Sequence, residues 1–133
     1  MKPDRLDVKP ASKIKAYRTG HIAEAIAAIY LRLKGYRIEA TRTKTPVGEI
    51  DILAIKGRTL VAVEVKARAS INDAWDAITP KNQSRVLQAT QYFMSRNPGF
   101  ADYDIRFDVI VIGQIYGLPL RLRHLDNAWQ AKA

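Results

Sequence analysis

From residue 19 to residue 33, apolar residues recur at helical spacing. Ile22, Ile26, Ile29 and Leu33 form the main stripe of a predicted amphipathic helix. Thr19 is placed to cap this helix and Gly35 to end it. Residues 36–41 predict a short strand and residues 42–48 a polar, basic turn. Residues 49–55 predict a second strand and 56–58 a tight turn. Residues 59–67, rich in valine, are the most strand-like segment, and the two strands around 56–58 should form an antiparallel hairpin. Residues 70–79 carry no period and predict an irregular loop.

Pro80 opens a second predicted helix over 80–96, with Val86, Ala89, Thr90 and Phe93 along one stripe. Residues 105–112 and 119–123 predict two more strands, and residues 124–129 a last helical turn. The order α-β-β-β-α-β-β points to an α/β fold, a mixed β-sheet flanked by helices. Residues 1–15, with Pro3, Pro10 and five Lys or Arg, predict a mobile basic arm ahead of a single domain over 16–133.

Composition narrows the chemistry. A chain of 133 residues with 47% hydrophobic residues suits one ordinary core. It has no cysteine, which excludes disulfides, thiolate metal sites and cysteine nucleophiles. The two histidines, His21 and His124, show no zinc or triad pattern. No apolar run approaches the ~20 residues of a membrane span, and no signal-peptide core opens the chain. The expectation is a soluble, cytoplasmic protein without a membrane partner. Net charge is +9, and residues 1–45 hold eleven Lys or Arg against four Asp or Glu. Such a field draws polyanions, nucleic acid before anionic membrane.

Charged residues inside the hairpin stand out. Glu64 and Lys66 share one strand face with Leu60 and Ala62, while Val61, Val63 and Val65 point to the other. Asp51 is an acid in an otherwise apolar strand. A hairpin centred on residue 57 sets Asp51 opposite Glu64, with Cβ atoms ~4.5–5.5 Å apart. Carboxylates that close repel, and a divalent cation between them removes the repulsion. Hard oxygen ligands and a polyanionic substrate favour magnesium or manganese. Lys66 would hold water or steady developing phosphate charge. The other reading is a structural ion pair of Lys66 with Glu64 or Asp51.

Other residues leave two readings open. Glu24 has the small neighbours Ala27, Ala28 and Leu31, as if that face approached another element closely. It either reaches the same centre or pairs with His21 in solvent. Gln83 either points at the site or lies exposed in the first turn of its helix. Lys81 and Arg85 read as phosphate contacts or solvated charge, and Glu49 as an outer ligand or an exposed strand-end acid. Asp108 and Arg106 read as a structural ion pair, and Trp75 and Trp129 as core or lid residues.

Gly48-Glu49-Ile50-Asp51, then Val63-Glu64-Val65-Lys66-Ala67-Arg68, resembles the Asp…Glu-x-Lys core of the PD-(D/E)XK nuclease superfamily. With Gly20…Ala23-Glu24, Gly35-Tyr36, Pro80…Gln83, Arg106-Phe107-Asp108-Val109 and Asn127-Ala128-Trp129, the chain resembles the YraN family, itself similar to Holliday-junction resolvases. The resemblance implies a restriction-endonuclease-like core. It also implies a metal site of Glu24, Asp51 and Glu64, with Lys66 beside it and Gln83 as an accessory helix residue. Arg42-Thr43-Lys44 departs from the family's usual Asn-Trp-Arg-like segment.

The expected function is therefore a magnesium- or manganese-dependent endonuclease acting on DNA, with branched or otherwise structured DNA as the candidate substrate. Arg42, Lys44, Arg68, Lys81 and Arg85 would grip the backbone, and symmetric cutting of a four-way junction would need a homodimer. Two alternatives remain: a nucleic-acid-binding module with a relict site, and an adaptor whose basic face meets an acidic protein.

Overall fold

The computed structural model describes residues 11–131, with side chains described from Gly20 onward. Helix α1 (Ala11–Leu33) precedes three antiparallel strands, β1 (Arg37–Thr45), β2 (Gly48–Lys56) and β3 (Thr59–Arg68). Helices α2 (Ile71–Asp76) and α3 (Pro80–Arg96) follow, then a 3₁₀ turn (Pro98–Phe100), β4 (Asp104–Gly113) and β5 (Arg121–Trp129). The strands form one sheet in the order β1-β2-β3-β4-β5, with β3 and β4 parallel and the other pairs antiparallel. Helix α1 covers one face and α2 and α3 the other. This is the expected mixed α/β, restriction-endonuclease-like architecture.

Local sequence sets most boundaries. Thr79 accepts a hydrogen bond from Asn82 N–H and Pro80 takes the first helical position, so α3 matches the predicted span. Gly35 ends α1 with φ 92°, while Tyr36 N–H donates to Leu31 O and Gly35 N–H to Arg32 O, the paired bonds of a glycine C-terminal cap.

From Ile52 onward the hairpin core alternates. Val61, Val63 and Val65 pack toward α1 with Ile52, Ala54, Ile110 and Ile112. Leu60 and Ala62 face α3 with Leu53, Ile55 and Phe107.

The structure corrects several sequence expectations. Helix α1 begins at Ala11, so Thr19 is not its cap and residues 11–15 belong to the helix rather than to an arm. The rest of that predicted arm lies outside the described residues. Of the predicted stripe only Ile26 packs against the sheet core, and only partly. Ala23, Ala27, Ala28 and Leu31 are buried there, while Ile22, Ile29 (55% exposed) and Leu33 (83%) face outward. Small side chains let the helix backbone lie close to the sheet, which four large residues would prevent.

Residues 42–45, read as turn, extend β1, because their backbone pairs with β2 through Thr43–Ile50, Lys44–Glu49 and Thr45–Gly48. The loop at 70–79 contains α2, whose cap is Ser70 accepting from Asp73 N–H. The expected final helical turn is strand β5, extended by its pairing with β4 from Gly113–Arg121 to Phe107–Trp129. Trp75, read as core or lid, is 43% exposed. Trp129 stacks on Phe107 with ring centroids 4.0 Å apart.

One buried polar knot ties α1 to the sheet. Fully buried Asp108 accepts from Arg106 Nε at 2.8 Å and from Asn127 N–H at 2.9 Å, and lies 2.7 Å from His124 Nε2. Arg106 also donates to the Tyr36 hydroxyl, and His124 lies beside Tyr30. The predicted Arg106–Asp108 pair is present, and His124 joins it. Burial alone would raise the Asp108 pKa, but the hydrogen bonds from His124, Arg106 and Asn127 outweigh it and hold the carboxyl below its usual range.

Candidate active site

The β2–β3 ladder runs from Lys56–Thr59 to Ile52–Val63, and Asp51 and Glu64 are the residues that follow its last rung on the two strands. The hairpin register inferred from the turn is thus the one observed. Beyond that rung Val65 N–H donates to Asp51 Oδ2 at 2.9 Å. Asp51, Glu64 and Lys66 line a cavity of about 150 Å³ together with Glu49, Asn82, Arg85 and Val86. The floor of the cavity is the sheet, and one wall is the first two turns of α3.

Gly48 lets that wall come close. A Cβ at this position would lie 2.4 Å from Arg85 O, so only glycine fits between β2 and α3.

The acids are held at an electrostatic cost. Glu64 is 6% exposed, and its Oε1 is buried with no hydrogen-bond partner. Burial first, then the charge of Asp51, pushes its pKa up to about 7, with Lys66 pulling the other way. Asp51 is raised by burial as well, against the Val65 N–H bond and the charges of Lys66 and Arg42. The three ion pairs among the described residues are Arg42–Glu24, Arg106–Asp108 and His124–Asp108. Lys66 therefore belongs to none, and the reading of a structural ion pair with Glu64 or Asp51 is not met.

Glu24 reaches the edge of this region without joining the pair. Its Oε1 accepts from Arg42 at 2.7 Å, and its side chain is 14% exposed. Arg42 adopts φ 51°, unusual for a residue with a Cβ, where it meets that carboxylate. Glu24 is thus neither solvent-facing nor paired to His21. Burial and the charge of Asp51 raise its pKa, against Arg42.

Among the described residues no three His, Asp or Glu side chains are grouped to enclose a metal ion. Asp51 and Glu64 alone form the acidic pair. The fit to a hard cation rests on their oxygens and on the unsatisfied Glu64 Oε1. Magnesium is commonly held by one or two carboxylates with water and phosphate completing its shell, which this pair would allow.

The remaining candidates separate. Gln83 does not line the acidic cavity. It faces a second cavity with Trp129, and Asn82 takes its place beside the acids. Helix phase decides this, since neighbouring helical residues point about 100° apart, and a one-residue difference could not be read from the chain. Arg85 lines the acidic cavity as well, and Glu49 does so as an exposed strand-end residue. Lys44, Arg68 and Lys81 are exposed and do not line it.

The fold and its paired strand acids place the chain in the class of mixed α/β, restriction-endonuclease-like proteins. A family profile described as "Uncharacterised protein family UPF0102" matches residues 23–112, and the chain belongs to that family, the YraN family of the motifs above. It is 48% identical over 122 residues to a UPF0102 protein of Parvibaculum lavamentivorans, covering 91% of this chain and 88% of that one. A UPF0102 protein of Rhodopseudomonas palustris is 47% identical over 119 residues, covering 90% and 85%. One of Bradyrhizobium sp. is 47% identical over 125 residues, covering 92% and 89%.

Proposed function

We propose that this protein is a magnesium- or manganese-dependent endonuclease acting on DNA, with branched DNA among its substrates. The observation that carries the reading is the buried, unpartnered Glu64 Oε1 opposite Asp51, with Lys66 unpaired beside them. Two carboxylates kept together in an apolar sheet cost stability unless they are used. The charge of +9 supports a polyanionic substrate.

Asp51 and Glu64 would hold the cation, which when bound supplies a Lewis acid for the phosphate and acidifies water. Lys66 orients the attacking water or meets charge developing on the phosphate oxygens. Arg85 and Asn82, on the α3 wall, are placed to contact that phosphate. Glu24, drawn to Arg42, positions the β1 edge unless it exchanges partners on cation binding. Such a chain acts in the cytoplasm. Among the described residues no helix is long and apolar enough to cross a membrane.

The test is cleavage of labelled four-way junction, flap, single-stranded and linear duplex DNA in magnesium, manganese or EDTA. The expected result is metal-dependent cutting that Asp51→Ala abolishes. Junction binding without cutting under any metal would replace the enzyme with a binding module.

A further inference from the structure

Gln83 and Trp129 have no part in the acidic cavity, yet they meet in another. Pro80, Gln83, Ser84 and Leu87 of α3, with Trp129 and Gln130 at the end of β5, line a cavity of about 330 Å³. Its chemistry differs from its neighbours. The acidic cavity holds five charged side chains, and the two cavities by the 113–120 loop carry Arg68 and Arg121. Among the described residues, none that lines this one is charged. Its walls are an indole, a proline ring and a leucine. Its polar groups are two amides and a hydroxyl, which donate and accept hydrogen bonds without charge.

The shape fits the chemistry. A neutral, flat ligand with hydrogen-bonding edges would place its face on the indole and its edge on the amides, and a nucleobase has that form. One face of Trp129 is already braced by Phe107 with the planes 16° apart, so the ring is held rigid for stacking.

Position ties this cavity to the acids. Residues 82, 85 and 86 of α3 line the acidic cavity and residues 80, 83, 84 and 87 line this one. The two therefore lie on opposite sides of one helix, about 10 Å apart. A strand crosses that distance in about three nucleotides. Exposed Lys81 stands on the helix between them and exposed Arg85 at the rim of the acidic cavity, where the intervening phosphates would run.

We propose that the cavity between α3 and the end of β5 takes one unpaired nucleobase of the bound strand, a few nucleotides from the phosphate at Asp51 and Glu64. This rests on the DNA reading above and makes Trp129 a stacking platform rather than a core or lid residue. Paired bases stay in their stack, so occupancy requires single-stranded or locally opened DNA.

The experiment uses the full chain carrying Trp75→Phe, leaving Trp129 as its one tryptophan, in EDTA. Its probes are a twelve-nucleotide single strand and the same strand with abasic sites, equal in phosphates. The expected result is quenching of Trp129 by the intact strand alone, and affinity at least tenfold weaker for the abasic one, since base–aromatic stacking is a substantial part of single-strand binding. Ser84→Trp, which fills the cavity from an exposed position, should erase the difference while keeping the abasic affinity, and Gln83→Ala should shrink it. Equal affinity for both strands without quenching overturns the inference and leaves the DNA reading standing. Failure to bind either strand, even at low salt, overturns both.

Discussion

Glu64 is the residue at which cost and use are most sharply opposed. Its carboxyl ionises near 4.5 in an ordinary setting and near 7 in the fold. Below about pH 4.5 both folded and unfolded chains hold the proton, and ionisation of the group costs nothing. Between the two values only the folded chain holds it, so stability falls as pH rises. Above pH 7 the full penalty applies, on the order of 3 kcal/mol. Glu64→Gln should therefore raise urea stability in EDTA at pH 8 by 1–3 kcal/mol. The gain should shrink toward zero at pH 4.5, and a gain independent of pH would refute this account. Asp108 is the converse case, an acid whose partners favour its charge. Asp108→Asn leaves Arg106 and His124 facing a neutral group and should cost roughly 3–5 kcal/mol at pH 7, read as a lowered urea midpoint.

At the scale of elements, α1 teaches most about what periodicity can and cannot give. Both of its faces are apolar, and pattern alone favours the one with larger side chains. The fold uses the other because Ala23, Ala27 and Ala28 let the helix backbone settle on β2 and β3. Ala27→Leu should accordingly destabilise by roughly 1–3 kcal/mol through overpacking. Ile29→Lys, on the outer stripe, should leave the urea midpoint within ~0.5 kcal/mol in stability. The reverse order of effects would show the helix packed the other way.

Elsewhere the signals differ in strength. The β2–β3 register was legible because a short turn leaves few pairings, and α3 because Thr79 and Pro80 mark its start. Strand β5 was hidden by Asp126 and Asn127, poor strand formers that fall in the register shift between the Val109–Leu125 and Phe107–Trp129 pairs, where Asn127 takes φ 50° and donates its N–H to Asp108. Helix α2 did have a signal, Ser70 three residues before Asp73, but it is only six residues long.

On the scale of the whole molecule, the acids of the candidate site and Arg85 were legible, and Asn82 was not. Asp51, Glu64 and Lys66 stand out because strands rarely carry such residues inward. Asn82 and Arg85 reach the same cavity only through the docking of α3 on the sheet, and Glu24 was diverted by Arg42, 18 residues away in sequence. If the pair holds a cation, magnesium or manganese should raise the melting temperature over EDTA, increasingly with concentration. Glu64→Gln should remove that dependence, and an unchanged shift in the variant would place the cation elsewhere. Affinity for DNA should fall steeply from 50 to 200 mM salt if backbone phosphates supply most of the contact.

The contact of Gly48 with the Arg85 carbonyl has a consequence for how the molecule breathes. No side chain lies between strand and helix there, so no rotamer change can part them. Amides at the start of β2 and in the first turns of α3 should become accessible to deuterium together, in one opening event with one free energy. Gly48→Ala should speed that exchange in both segments while leaving the centre of β3 protected. The walls of the acidic cavity would then move as a single unit, and the cavity would be either whole or absent.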